Sequence, residues 1–309
     1  MIKFSTLKLF HKLATGNFPK QPDFHEFKNR FKFLTRGLAT LPYTLQWLEF
    51  LNETEAYRDF LCMNPRISTK LHRPYIFSSN SLKNQLSILK FHHTLQKNVF
   101  SQELQRTLLA CQSLTLANLT GKNSEEYRIT LSQNLIFEKE GELLLRLYFK
   151  DKVLFVISFS FYQTKEEKLA LVVGGIQGGL KGDDYTFFKE ATKSCYGLFP
   201  KKLAMEAIME LGRQLGINTL HLISNDGHIY KHWRYTKKKI LVDYDIFWKE
   251  LGATKIDKQL YELLYPIYHK PLEEIESKKR SEYKKRQLLL EELENQISTF
   301  FVTNVKKAN

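Results

Sequence analysis

Residues 168–182 read KLALVVGGIQGGLKG. An apolar, β-branched run meets Gly174, Gly175, Gly178, Gly179 and Gly182, with Gln177 and Lys181 set among them. The run reads as a strand and the glycines as its sharp exit. Downstream, PKKLAMEAIMELGRQLG (200–216) has helical spacing with Pro200 at its first position, and TLHLIS (219–224) reads as a further strand. Upstream, YRITLS (127–132), LLLRLYF (143–149) and VLFVISFSFY (153–162) are rich in β-branched and aromatic residues. Short polar stretches suited to hairpins, EKEGE (138–142), KDK (150–152) and QTKEE (163–167), separate them. An antiparallel meander that passes into a strand–helix–strand unit follows from this order.

The chain before this block has a different period. LPYTLQWLEFL (41–51), ETEAYRDFLCM (53–63) and SLKNQLSILKFHHTLQKN (81–98) repeat apolar residues at three- and four-residue steps. In the last, Leu82, Leu86 and Leu89 form a stripe with Ile88 on its flank, and Ser81 can cap the start. Pro74 in KLHRPYIF (70–77) breaks any helix there. At the other end, residues 272–297 predict a long amphipathic helix with Tyr283, Leu290, Leu293 and Ile297 on one side. The expectation is an α+β fold: a basic helical region over 1–122, an α+β core over 123–271, and a C-terminal helix and tail over 272–309.

Composition narrows the class. In 309 residues, 43% hydrophobic and 26% charged content suits a folded chain with a sizeable core. Cys62, Cys111 and Cys195 are too few and too far apart for a disulfide framework or a zinc site. Lys3, Lys8 and Lys12 interrupt the opening residues, so no secretory leader is expected, and no apolar run approaches the ~20 residues that span a bilayer. A cytoplasmic protein, peripheral to the inner membrane at most, is the corresponding expectation. The net charge is +14, and residues 1–122 hold 17 Lys+Arg against 7 Asp+Glu. Such a surplus attracts polyanions, with anionic lipid or an envelope component ahead of nucleic acid, for which no binding module is visible.

Two stretches can carry chemistry. The amides and glycines from Gln177 through Gly178, Gly179, Lys181 and Gly182 can cradle a phosphorylated cofactor, or can form only a structural turn. Beyond the strand TLHLIS, SNDGHIYKHWRYTKKKI (224–240) offers Asp226 and His228 as an acid/base pair and Arg234, Lys237 and Lys238 as anion-binding cations. A polar turn built on NDG is the alternative. His92 and His93 are adjacent and so point about 100° apart on a helix, which denies both to one metal; no metal site is expected.

The strand, glycine turn, helix and strand resemble the core of the GNAT acyltransferases, whose R/Q-x-x-G-x-G/A loop holds the pyrophosphate of an acyl-CoA. Gln177 matches the first position and Gly182 the last, whereas Leu180 stands where a glycine belongs. That likeness implies acyl-CoA or acetyl-CoA as cofactor and an acyltransferase activity. Over a longer span, KLHRPYIFSSNSLKNQLSILKFHH (70–93), GGIQG (174–178), GLFPKKL (197–203), NDGH (225–228), VDYDIFWKELGA (242–253) and SKKRSEYKKRQ (277–287) resemble the VirK/YbjX family of bacterial proteins. The resemblance runs from about residue 30 to 300. It implies a role in envelope integrity, resistance to cationic antimicrobial peptides or placement of virulence factors, and it brings no catalytic residue with it. An adaptor that binds anionic lipid or a partner protein is the alternative to an enzyme.

Overall fold

The structure, a computed structural model, describes residues 4–18, 26–164, 166–178, 185–235 and 242–306. Helices α1 (Phe4–Thr15), α2 (Phe27–Ala39), α3 (Leu41–Leu51), α4 (Glu55–Met63), α5 (Leu82–Val99) and α6 (Gln102–Leu109) come first. A 3-10 segment, Pro65–His72, joins α4 to the extended chain that follows it. The helix starts follow local chemistry. The Ser81 hydroxyl accepts the Asn84 amide at α5, Thr54 accepts that of Tyr57 at α4, and Ser101 that of Leu104 at α6.

The strands β1 (Leu114–Thr120), β2 (Glu126–Gln133), β3 (Leu143–Phe149), β4 (Lys152–Gln163), β5 (Leu169–Gly178), β6 (Thr219–Ile223), β7 (Thr254–Lys255) and β8 (Leu260–Leu264) form one sheet in the order β1-β2-β3-β4-β5-β6-β8-β7. All described pairings are antiparallel except β5 with β6. Between β5 and β6 lie α7 (Tyr185–Ser194) and α8 (Pro200–Gln214), the crossover that parallel strands require. The short helix α9 (Tyr244–Glu250) and the long α10 (Arg280–Asn304) complete the chain. The fold is therefore α+β with a mostly antiparallel sheet, as expected, and a long C-terminal helix is present. That helix starts at Arg280, because Arg280 donates to the carbonyls of Ile275 and Glu273 and folds the preceding residues into 3-10 turns. Tyr283, Leu290, Leu293 and Ile297 are its buried side.

β4 sorts the two faces of the sheet. Phe155, Ile157, Phe159 and Phe161 enter the core shared with α8 and α10. On the opposite face, Tyr162 joins the core under α1 and α3–α5. Ser158 and Ser160, buried on that same side, are polar. At the edge, β1 carries a bulge between Thr115 and Ala117. The carboxamide of Gln296 on α10 there accepts the Asn118 amide at 2.8 Å and donates to the Asn118 carbonyl at 2.7 Å.

Candidate anion-binding groove and the ionic network beneath it

The glycines of β5 serve a close approach. A Cβ at Gly174 would collide with the main-chain carbonyl of Glu140, and one at Gly175 with the Glu140 carboxylate. The β2–β3 connection is folded onto β5 at this point, and only a strand without side chains admits it. Asn134 organises that connection: its carboxamide donates to the carbonyls of Phe137 and Gly141 and accepts the amides of Ile136 and Phe137. As a result, the expected polar hairpin EKEGE turns inward, and Glu138, Glu140 and Glu142 are all buried.

Each buried carboxylate meets a donor from a distant part of the chain. Lys70 donates to Glu142 Oε1 and to the Glu138 carbonyl, both at 2.7 Å. His93 Nε2 lies 3.3 Å from the other Glu142 oxygen. The Lys70 ammonium and His93 together hold the Glu142 carboxyl well below the usual carboxylate range, against the burial that would raise it. Arg73 donates to Glu138 at 2.8 Å. Gln177 places its carboxamide nitrogen 3.3 and 3.4 Å from the Glu140 oxygens. His92 turns the other way and accepts the Phe161 amide at 3.0 Å. Among the described residues no group of three or more His, Cys, Asp and Glu side chains is arranged to hold a metal ion.

The candidate residues fall into distinct settings. Gln177 and Gly178 pair with Val156 and Phe155 in the ladder with β4. β6 pairs with β5 only from Leu171 to Val173, and past that point Tyr244 takes its place: the phenol accepts the Ile176 amide and donates to the Ile176 carbonyl. Gly179, Lys181 and Gly182, like Lys237 and Lys238, lie outside the described residues. His228 is 1% exposed and stacks on Tyr244. Its Nδ1 accepts the Tyr230 amide, and its Nε2 points at Glu140 from 3.8 Å. Burial lowers its pKa to about 4, so the ring is neutral near pH 7. Asp226 is exposed and supplies only its carbonyl, to Ser78; the acid facing His228 is thus Glu140, and Asp226 and His228 are not brought together as a pair.

Arg234 reaches a second, open feature. It donates to the His72 carbonyl at 3.3 Å and lines a cavity of 270 Å³ with Arg36, His72, Arg73 and His232. On the other side of Arg36, His72 and Arg73 is a cavity of 230 Å³, lined also by Lys32, Arg66, Asn29 and Thr69. Among the described residues neither cavity has an acidic side chain in its wall. Lys32, Arg36 and Arg234 form no ion pair with any carboxylate among the described residues. His72, between the cavities, shares a hydrogen bond with Thr44. Burial first, and then Arg36 and Arg73, lower its pKa to about 4.

Sequence reasoning placed Arg234 among the anion-binding cations but missed Lys32 and Arg36 on a helix, Arg66 in a 3-10 segment and Arg73 in the extended chain after it, none with a binding signature around it. The one available signal was KLHR (70–73), three basic or titratable residues within four positions next to a helix breaker. It also missed β1, β7 and β8. In LTLANLT, the bulge between Thr115 and Ala117 spoils the alternation that marks a strand.

A cAMP-binding acyltransferase from Mycobacterium smegmatis aligns over 76% of this chain and 66% of its own, just under two thirds of its length, with 10% identity and a TM-score of 0.28, too low for any inference. Two uncharacterized proteins of Haemophilus influenzae are each 24% identical, over 80% and 89% of this chain and 82% and 90% of their own length. YbjX, an uncharacterized protein of Escherichia coli (strain K12), is 33% identical over 96% of this chain and 91% of its own. The family described as "Protein of unknown function (DUF535)" matches residues 22–299. That match spans most of the sequence, and the chain belongs to the DUF535 family.

Proposed function

We propose that the protein is a binding protein for a phosphate-bearing component of the bacterial envelope, held in the groove between α2, the Pro65–His72 segment and Arg234. The observation that supports this reading is the pair of cavities that share Arg36, His72 and the Glu138-paired Arg73 as lining, with Lys32 and Arg66 in one, Arg234 in the other and no acid among the described lining residues. Guanidinium groups match phosphate oxygens two at a time and remain charged at any physiological pH. A neutral His72 can give or take a hydrogen bond without adding repulsion. In this reading the protein works in the cytoplasm, peripheral to the inner membrane. The link of VirK/YbjX-like proteins to envelope integrity and to resistance against cationic peptides follows from possession of an envelope anion.

Acyl transfer has less support. A cofactor loop needs outward amides beside Gln177, and there the Ile176 amide is bonded to Tyr244 while the Gln177 carboxamide rests on Glu140. His228, one of the two residues offered as an acid/base pair, is enclosed.

Calorimetry with a short-chain, water-soluble phosphatidic acid tests the proposal, with short-chain phosphatidylcholine and acetyl-CoA titrated in parallel. Heat is expected with the phosphatidic acid alone, and weakened by Arg36→Ala and Arg234→Ala. Heat with acetyl-CoA that ignores both substitutions would reverse the ranking.

A further inference from the structure

α2 turns two different faces to solvent. Phe27, Phe31 and Leu38 are 75%, 56% and 55% exposed, and Leu34 between them is half-buried. With 3.6 residues per turn, these four positions fall within about 60° of the helix circumference. They make one apolar stripe, and the Phe27 and Phe31 rings stack at 6.1 Å. Alongside it, Lys28, Lys32 and Arg36 recur every four residues and are exposed. Phe33 and Gly37 take the inward face, where Gly37 admits the Phe10 ring. The helix contains no acidic residue.

A row of bare phenyl rings and leucines is uncommon on a folded surface unless something covers it. Charge complementarity selects an anionic cover: a second copy of the chain would set cations against cations. The row is also convex, and a fluid bilayer, unlike a folded partner, needs no matching groove to receive it. Apolar residues beside lysine and arginine, without acids, describe a helix that lies in a lipid interface.

We propose that α2 rests on an anionic bilayer, with Phe27, Phe31 and Leu38 at the acyl boundary and Lys28, Lys32 and Arg36 among the headgroup phosphates. This rests on the groove reading and extends it. Lys32 and Arg36 line the cavities, so the groove opens at the lipid surface and takes its phosphate from a membrane lipid rather than from a free metabolite.

The experiment floats the full chain with phosphatidylcholine vesicles, with and without phosphatidylglycerol. Binding is expected only with phosphatidylglycerol and should weaken with salt. The double variant Phe27→Ser, Phe31→Ser should lower partitioning about tenfold by removing the inserted rings. Its calorimetric affinity for short-chain phosphatidic acid should stay the same. A double variant that floats as well as the natural chain overturns the inference, while a continued effect of Arg36→Ala on short-chain lipid leaves the groove reading standing. Loss of short-chain lipid binding in the natural chain removes both. Should the double variant fold poorly, Phe27→Trp reports instead: no blue shift of its emission on vesicles overturns the inference. So does a dimer in sedimentation velocity that Phe31→Ser dissolves.

Discussion

The protein holds two groups of charges that differ in one respect. In the interior, Lys70 and His93 meet Glu142, and burial leaves almost nothing for solvent or ligand; Arg73 pairs with Glu138 but keeps part of its surface at the cavity wall. Beside the Pro65–His72 segment, Arg36 from α2 and Arg234 from far along the chain line cavities with no acid among the described lining residues. The first group is complete within the chain and the second is not. Charges of the same chemical kind therefore do different work. Pairing in the interior fixes how distant segments meet, whereas in the proposed function the surplus at a concave surface selects what arrives from outside.

The strongest way to break this contrast is Glu142→Gln. It leaves the Lys70 ammonium buried without its partner, and a loss of about 3–5 kcal/mol in chemical denaturation is expected. Adding Lys70→Met to the same chain should restore most of it. If Glu142→Gln costs no more than a surface substitution, the interior group is not structural.

Acid should come next in size. His72 and His228 both have pKa values lowered to about 4, against an ordinary 6.5, because burial disfavours their charged forms. The unfolded chain then binds more protons between these values. Their contribution is full above pH 6.5 and is lost as the pH falls toward 4, roughly 2–3 kcal/mol for each ring. The Glu142 contribution begins to fall where free carboxyls titrate, near pH 4.5, and goes on falling toward its own depressed value, so the window above about pH 5 isolates the histidines. A flat stability curve from pH 7 to 5 would contradict this assignment.

Gly174→Ala sharpens the picture at the backbone. The new methyl group meets the Glu140 carbonyl, and a loss of about 1–3 kcal/mol in thermal unfolding is expected, more than for Gly216→Ala, whose added atom meets nothing. Gly216 has a positive φ, so its own substitution is not free, which makes the comparison a stringent one. Smallest for the fold are Arg36→Ala and Arg234→Ala. Each should change stability by less than about 0.5 kcal/mol while lowering affinity for the phosphorylated ligand about tenfold, the worth of one charge-assisted contact. Equal effects on stability and affinity would erase the distinction between the two groups.

Local signals made much of the architecture legible. The helix cap at Ser81, the proline start of α8 and the apolar, β-branched and aromatic runs of β2 to β5 are decided by neighbours in sequence. The site was less legible because its parts are remote. EKEGE reads as a solvated turn until Lys70 and Arg73, more than sixty positions earlier, are brought against it. GG at 174–175 looks like a sharp exit from the strand until the Glu140 peptide is seen lying on it. Glycine at a strand end has the same appearance whether the chain makes room for a cofactor or for itself. The +10 surplus of residues 1–122 raised an anionic partner as an expectation, while the position of the groove depended on how α2 packs against Pro65–His72.

Gln296 has a meaning beyond α10. By offering an amide and a carbonyl to Asn118, its side chain impersonates the strand that would otherwise come next to β1. A sheet that ends on such a dummy neighbour gives passing chains no row of vacant partners to copy. Shortening this one residue to alanine should cost the monomer little, and its damage should be collective: slow, concentration-dependent gathering of intact molecules, edge upon edge.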